Sequence, residues 1–281
     1  SNSVASTSTT TVASFVEPLG ILDSSFGTSG ILTKKILTSY SGGKVIRAQS
    51  DGKILVAGYY EKIIYILRYN ADGTVDTSFG TEGTGIIYTD LVNGADYSDT
   101  VTDMKIQPDG KIVICGYLNN YNNGDNYDFF IIRYNSNGSL DTTFNGDGLA
   151  SYNMGAGDFA FALTFQSDGK ILVAGKAEEE FLTIRFNTDG YFDTSFASKG
   201  YLLTNPIQNA QSEARDVAID KDGKIVVAGY SILSSDTYFT MVRYNPNGGV
   251  DTSFGSNGVQ KSPTIGNYYC YSMEIQTNGK I

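Results

Sequence analysis

Gln107-Pro108-Asp109-Gly110-Lys111-Ile112-Val113, followed by Arg133-Tyr134-Asn135-Ser136-Asn137-Gly138-Ser139-Leu140-Asp141-Thr142-Thr143-Phe144, decides the fold, because both halves recur along the chain. The tetrad Asp-Gly-Lys-Ile stands at Asp51–Ile54, Asp109–Ile112, Asp168–Ile171 and Asp222–Ile225, and Asn278-Gly279-Lys280-Ile281 is a fifth version of it. The phrase Asp-Ser/Thr-Ser/Thr-Phe interleaves at Asp23–Phe26, Asp76–Phe79, Asp141–Phe144, Asp193–Phe196 and Asp251–Phe254. Successive copies of the first phrase lie 54 to 59 residues apart, and those of the second 52 to 65. A period of this size marks an array or ring of similar units. Residues that recur in every unit therefore build the unit, and function is sought where the units differ.

The unit from about Gly27 to Phe79 reads as four short β-rich pieces. Gly30-Ile31-Leu32-Thr33 is the first. The second ends at Gln49, and in its counterpart Tyr271, Met273 and Ile275 alternate with period two. Ser50-Asp51-Gly52 then turns the chain, since Asp-Gly between two β-rich runs is a strong hairpin signal. Lys53–Gly58 is apolar on both faces, as a strand inside stacked sheets must be. Gly58, Gly116, Gly175 and Gly229 close this piece and mark a close backbone approach. Tyr65–Asn70 is the fourth piece, and Asn70-Ala71-Asp72-Gly73 turns the chain back. No segment shows sustained helical spacing. The expected fold is all-β, a β-propeller of about five four-stranded blades.

The combined motif, Gln-Pro-Asp-Gly-Lys-Ile-Val leading to Gly-Tyr, then Arg-Tyr-Asn-x-(Asp/Asn)-Gly-x-(Leu/Val)-Asp-Thr-Ser-Phe-Gly, resembles the bacterial delta-60 repeat. The resemblance covers about Ile21 to Ile281. It implies a propeller-like repeat of large secreted or surface proteins of bacteria, and it implies no activity.

Composition narrows the function. Of 281 residues 41% are apolar, enough for a sizeable core, and the net charge is −10. That charge weighs against nucleic acid, whose binding rests on Lys and Arg neutralising phosphates, and against anionic membrane surfaces. No apolar run approaches the roughly 20 residues that span a bilayer. The chain has no His, hence neither the commonest general base nor the commonest transition-metal ligand. Its two cysteines, Cys115 and Cys270, occupy small-residue positions of different units and read as buried free thiols. The reading carries no cofactor.

The turn after the fourth piece has part of the ligand spacing of a calcium loop. Asn70, Asp72 and Asp76 have suitable spacing, but Arg68 stands where the first oxygen ligand belongs, as do Arg133, Arg185 and Arg243. A guanidinium there repels the ion. The expected alternative is four structural pairs, Arg68 with Asp76, Arg133 with Asp141, Arg185 with Asp193 and Arg243 with Asp251, with no metal. Asp23 lacks this partner, since Phe15 replaces the Arg.

The hairpin between the third and fourth pieces varies most. In the second unit it contains Tyr121, Asn122, Asn123, Asp125 and Tyr127. Two tyrosines among amides can stack on a sugar ring or a partner surface. The same composition suits a polar loop that merely tolerates insertion. The third unit carries Glu178-Glu179-Glu180 there, a solvated charge run. Nonrepeating carboxylates, among them Asp90, Asp103, Asp158, Glu213, Asp216 and Glu274, could serve a glycosidase, but no spacing selects a pair.

Residues 1–14 read as a flexible Ser/Thr-rich leader and 15–281 as one repeat domain. The fifth unit is incomplete at Ile281, and Val12-Ala13-Ser14-Phe15 is a weak copy of Val56-Ala57-Gly58-Tyr59. The amino-terminal segment is thus expected to close the last blade, the rival being a longer array with an open edge available for self-association. The functional expectation is a non-catalytic, secreted or cell-surface module contacting protein or glycan, without nucleic acid or membrane insertion. A filament or surface-layer subunit joined by strand exchange and a carbohydrate-active enzyme are the alternatives.

Overall fold

A computed structural model describes residues 22–34, 41–80, 83–91, 97–120, 126–155, 157–263 and 267–281. These described residues form four antiparallel four-stranded sheets. The first holds β1 (Ser41–Ala48), β2 (Ile54–Tyr60), β3 (Ile63–Tyr69) and β4 (Ile86–Thr89). The second holds β5 (Tyr97–Ile106), β6 (Ile112–Asn120), β7 (Asn126–Tyr134) and β8 (Leu149–Tyr152). The third holds β9 (Phe159–Phe165), β10 (Ile171–Ala177), β11 (Glu180–Phe186) and β12 (Tyr201–Thr204). The fourth holds β13 (Gln211–Ile219), β14 (Ile225–Leu233), β15 (Asp236–Tyr244) and β16 (Val259–Lys261).

The sheets are cut differently from the repeat as phrased in the sequence. The strand that follows each Phe-Gly does not open a new sheet; β4, for example, pairs with β3 through Ile66↔Ile87 and becomes the outer edge of the sheet behind it. The Asp-Ser/Thr-Ser/Thr-Phe turn lies inside a sheet, between its third and fourth strands, so the unit begins at the inner strand. Each inner hairpin is closed by glycine. Gly52 has φ 83°, its N–H donates to the Gln49 carbonyl at 3.0 Å, and Gln49 N–H donates to the Lys53 carbonyl at 2.7 Å. Asp51 itself keeps negative φ, so the loop is the three-residue kind with glycine in the left-handed position.

Alternation along the second strand of each sheet holds the stack together. Ile112 and Ile114 of β6 enter a core shared with Leu55, Ala57 and Ile66 of the first sheet. Val113 and Cys115, between them, enter the next core, shared with Leu163, Val173 and Ile184 of the third sheet. Period-two alternation therefore sends neighbours to opposite faces, and each sheet is apolar on both. The third core repeats the arrangement between the third and fourth sheets. Beyond them, Leu32 packs on the free face of the first sheet, and Cys270, Met273 and Ile275 pack on that of the fourth. Residues 267–281 of the fifth unit thus lie against the fourth sheet without a strand of their own, touching it by an isolated bridge from Asn267 to Thr237. The proposed closing segment Thr11–Phe15 and the leader 1–14 lie outside the described residues. Cys115 and Cys270 are buried free thiols, and burial raises the pKa of both. Among the described residues no helix is long and apolar enough to cross a membrane.

Candidate functional site

Two constellations emerge, one built by residues that repeat and one by residues that do not. The repeating one joins the units. Arg68 Nε donates to Asp76 Oδ2 at 2.7 Å, and the same bond joins Arg133 to Asp141 and Arg185 to Asp193 at 2.7 Å and Arg243 to Asp251 at 2.8 Å. The Lys of Asp-Gly-Lys-Ile completes each group: Lys53, Lys111, Lys170 and Lys224 place Nζ 2.6 to 2.8 Å from the same carboxylate oxygens. The other oxygen caps the turn, as when Thr143 N and Oγ1 donate to Asp141 Oδ1 at 3.1 and 2.6 Å. Burial disfavours the Asp141 charge, but the bonds from Lys111 and Thr143 and the Arg133 charge outweigh it and hold the carboxyl far below its ordinary range. Asp76 and Asp193 behave alike.

Three of the four Arg also reach the following unit. Arg68 Nη1 donates to the Ser136 carbonyl at 2.6 Å, Arg133 Nη1 to Thr188 at 2.5 Å and Arg185 Nη1 to Pro246 at 2.5 Å. The guanidinium lies 4.5 to 4.7 Å over the Phe of its own phrase at Phe79, Phe144 and Phe196. The residue after that Phe donates its N–H to the same neighbouring turn, as Gly80 does to Asn137 at 2.9 Å. Among the described residues Arg243 has no such carbonyl; its side chain is 23% exposed, against 6 to 9% for the other three. The lysine contribution was missed in the sequence reading, although its invariance within the tetrad was the available signal. Among the described residues no cluster of acidic or thiol groups is placed to hold a metal.

The nonrepeating constellation lies where the inner strands converge. Each of these strands carries a bulge opposite the glycine that closes the second strand: Lys44 is the extra residue in β1, Thr102 in β5, Phe161 in β9 and Arg215 in β13. The glycine is obligatory there. A Cβ on Gly175 would lie 1.8 Å from the Phe159 carbonyl oxygen, and one on Gly229 1.8 Å from that of Glu213. A bulge re-aims the extra side chain. Lys44, Thr102, Phe161 and Arg215 consequently line one cavity of about 290 Å³, joined by Tyr117 and by Tyr271 of the fifth unit. Behind it lies a space of about 480 Å³ lined by Arg47, Asp103, Lys105, Thr164, Asp216 and Glu274 among others.

Arg215 is the centre of this mouth. Its guanidinium lies 3.9 Å from the Phe161 ring centroid, 5.4 Å from Tyr230 and 5.9 Å from Tyr271. Nη2 donates to Glu213 and, at 3.0 Å, to the Tyr230 hydroxyl, which donates to Glu213 at 2.6 Å. Burial opposes the Arg215 charge, but Tyr230 and Glu213 raise its pKa overall. Burial and Glu213 push the Tyr230 hydroxyl up to about 12. Phe159 and Phe161 stack 5.7 Å apart, and Tyr269 and Tyr271 stack 6.0 Å apart. Tyr127 packs 4.7 Å from Phe159 and 5.7 Å from Tyr117, so this hairpin residue borders the same aromatic group. Tyr121, Asn122, Asn123 and Asp125 lie outside the described residues.

Of the nonrepeating carboxylates, Asp103, Asp216 and Glu274 line the larger space and Glu213 lies against Arg215 beside it. Asp103 accepts from Arg47 of the preceding unit and from Leu163 N–H of the following one, at 3.0 Å. Asp216 similarly accepts from Met273 N–H at 2.7 Å. Asp158 is fully buried at a crossing between sheets, where its Oδ2 accepts from Met154 N–H.

A family model agrees with this architecture. Residues 49–79, 107–144, 166–196 and 221–254 match a family model described as a domain of unknown function (DUF5122) beta-propeller. No curated protein matches the sequence. Among solved structures, the extracellular domain of a hybrid two-component system protein from B. thetaiotaomicron matches at 13% identity and TM-score 0.44, over 87% of this chain and 27% of its own. A catalytically inactive virginiamycin B lyase from Staphylococcus aureus, with Quinupristin, matches at 14% identity and TM-score 0.39, over 80% and 71%. A protein from Lactobacillus plantarum matches at 14% identity and TM-score 0.42, over 80% and 72%. This chain thus spans about a quarter of the length of the first of these.

Proposed function

We propose that this chain is a non-catalytic β-propeller module, secreted or at the cell surface, that contacts a protein or glycan through the mouth of its inner-strand channel. One observation carries the reading. The recurring Lys, Arg and second-phrase Asp are consumed in bracing each unit and tying it to the next, whereas the bulged positions, which differ in every unit, converge on a single mouth lined by aromatic rings and two cations. Repetition serves the scaffold and variation serves the contact. The position of Tyr271 beside Phe161 and Arg215 also supports a fifth unit in the same arrangement. Asp103 and Asp216 tie neighbouring strands together and Glu213 is matched by Arg215, which favours binding over carboxylate-pair catalysis.

The test is an array of immobilised glycans and secreted proteins probed with the purified chain and with Tyr271→Ala. Capture that disappears in the variant supports the reading. Capture unaffected by Tyr271→Ala and Phe161→Ala places the contact elsewhere. Turnover of a glycan that stops on changing a single channel carboxylate replaces the module by an enzyme.

A further inference from the structure

We propose that the channel mouth binds a sugar bearing a single carboxylate, with the carboxylate held by Arg215 and Lys44 and the ring face laid on Tyr271. The proposal rests on reading the mouth as the contact site, and it names the ligand from the chemistry there.

Arg215 supplies the first argument. A guanidinium carries five N–H donors. Its Nη2 is taken by Glu213 and Tyr230, while its Nε is buried and has no hydrogen-bond partner. Nε is closed off from a ligand, but a quarter of the side chain is exposed, and a planar carboxylate is the acceptor whose shape and charge suit the open edge of the guanidinium. Internal bonds to Glu213 and Tyr230, together with the Phe161 ring, fix the guanidinium in place, so little order is lost when a ligand arrives.

Charge supplies the second. The chain carries −10 overall, yet the five positions that form the mouth, Lys44, Thr102, Phe161, Arg215 and Tyr271, include two cations and no carboxylate. Glu213 beneath them is already matched by Arg215, with Lys176 3.8 Å away. A single negative charge placed beside Lys44 and Arg215 is therefore favoured, while Asp103, Asp216 and Glu274 of the adjoining space and the protein as a whole repel a polyanion.

The rings and the deeper cavity supply the third. Tyr271 and Tyr269 are 66% and 48% exposed and stack on one another, so Tyr271 offers an exposed ring beside Arg215. The space behind the mouth is polar, with Lys105, Thr164 and Glu274 on its wall. An aliphatic or aromatic carboxylate would leave those groups unmatched, whereas a hydroxyl-bearing ring offers donors and acceptors to them and an apolar C–H face to tyrosine.

The experiment is calorimetric titration of the full chain with a glucuronate-terminated disaccharide and with its neutral glucose-terminated counterpart. The expected result is binding of the acidic sugar, weakened by salt, and binding of the neutral one weaker by roughly tenfold or more. Arg215→Met and Lys44→Gln should erase that preference, and Tyr271→Ala should weaken both sugars. Lys44 and Tyr271 are exposed, so these two variants remain informative if Arg215→Met does not fold. Equal binding of the two sugars, lost in Tyr271→Ala, overturns the acidic ligand and leaves the contact site standing. Acidic-sugar binding unchanged in all three variants overturns the location. Binding of neither sugar overturns the ligand class, and the array with Tyr271→Ala then judges the contact site separately.

Discussion

Replacing Asp141 by Ala removes four hydrogen bonds at one carboxylate: from Arg133 Nε at 2.7 Å, Lys111 Nζ at 2.8 Å and Thr143 N and Oγ1 at 3.1 and 2.6 Å. Arg133 is 5% exposed and would be left a buried cation. Breaking a buried pair in this way costs about 3–5 kcal/mol. Arg133 retains the Thr188 carbonyl and the Phe144 ring, and Lys111, with 28% of its side chain exposed, can turn to water. The loss is therefore expected near the lower end, about 3 kcal/mol. Asp141→Asn, which keeps the shape and one acceptor, should lose less. Asp251→Ala is the internal comparison: Arg243 is more exposed and among the described residues makes no bond to a following turn, so its loss should be smaller than at Asp141. Urea unfolding at neutral pH, with unchanged m-values, measures the series. A loss below about 1 kcal/mol for Asp141→Ala, or a larger one for Asp251→Ala, refutes the clamp. Calcium should leave the melting temperature of the parent chain unchanged; a calcium-dependent rise centred on this turn would return the metal-loop reading. The pH dependence has a definite sign. Asp76, Asp141 and Asp193 have folded-state pKa values below the unfolded value of about 3.9. Their contribution is present above that pH and is lost as pH falls through the depressed values, and Asp141→Asn should reduce this acid sensitivity.

Gly229→Ala puts a methyl group 1.8 Å from the Glu213 carbonyl oxygen, and should cost at least the ~1–3 kcal/mol of an overpacked site and disturb the Arg215 bulge, measured by urea unfolding and tyrosine fluorescence. Asp99 is raised to about 7, chiefly by burial, with one oxygen unpartnered; stability from this group falls as pH rises from about 4 to 7, so Asp99→Asn should gain stability at pH 8 relative to pH 5 in paired melting curves. Thiol titration after denaturation without reductant should find both Cys115 and Cys270 free, and a value near zero would contradict their placement in different cores.

The repeat made the architecture readable from residues alone, because its signals are local. Asp-Gly fixes a turn, alternation fixes which face each side chain takes, and a strand apolar on both faces, such as Ile112–Cys115, can only lie between two other layers. The eight-residue spacing from Arg133 to Asp141 across one tight turn likewise brought that pair within reach on paper. Other features needed the third dimension. Lys111 reaches Asp141 only because the first hairpin folds beside the third strand, and Arg133 finds Thr188 only because the next sheet stacks against its own. The mouth was the least legible part. Lys44, Thr102, Phe161, Arg215 and Tyr271 share no residue type, and a bulge is invisible to a period-two pattern. Their meeting is decided by stacked sheets that bring the inner strands together, with a glycine opposite each bulge admitting the neighbouring carbonyl and turning one unrepeated side chain into the same space.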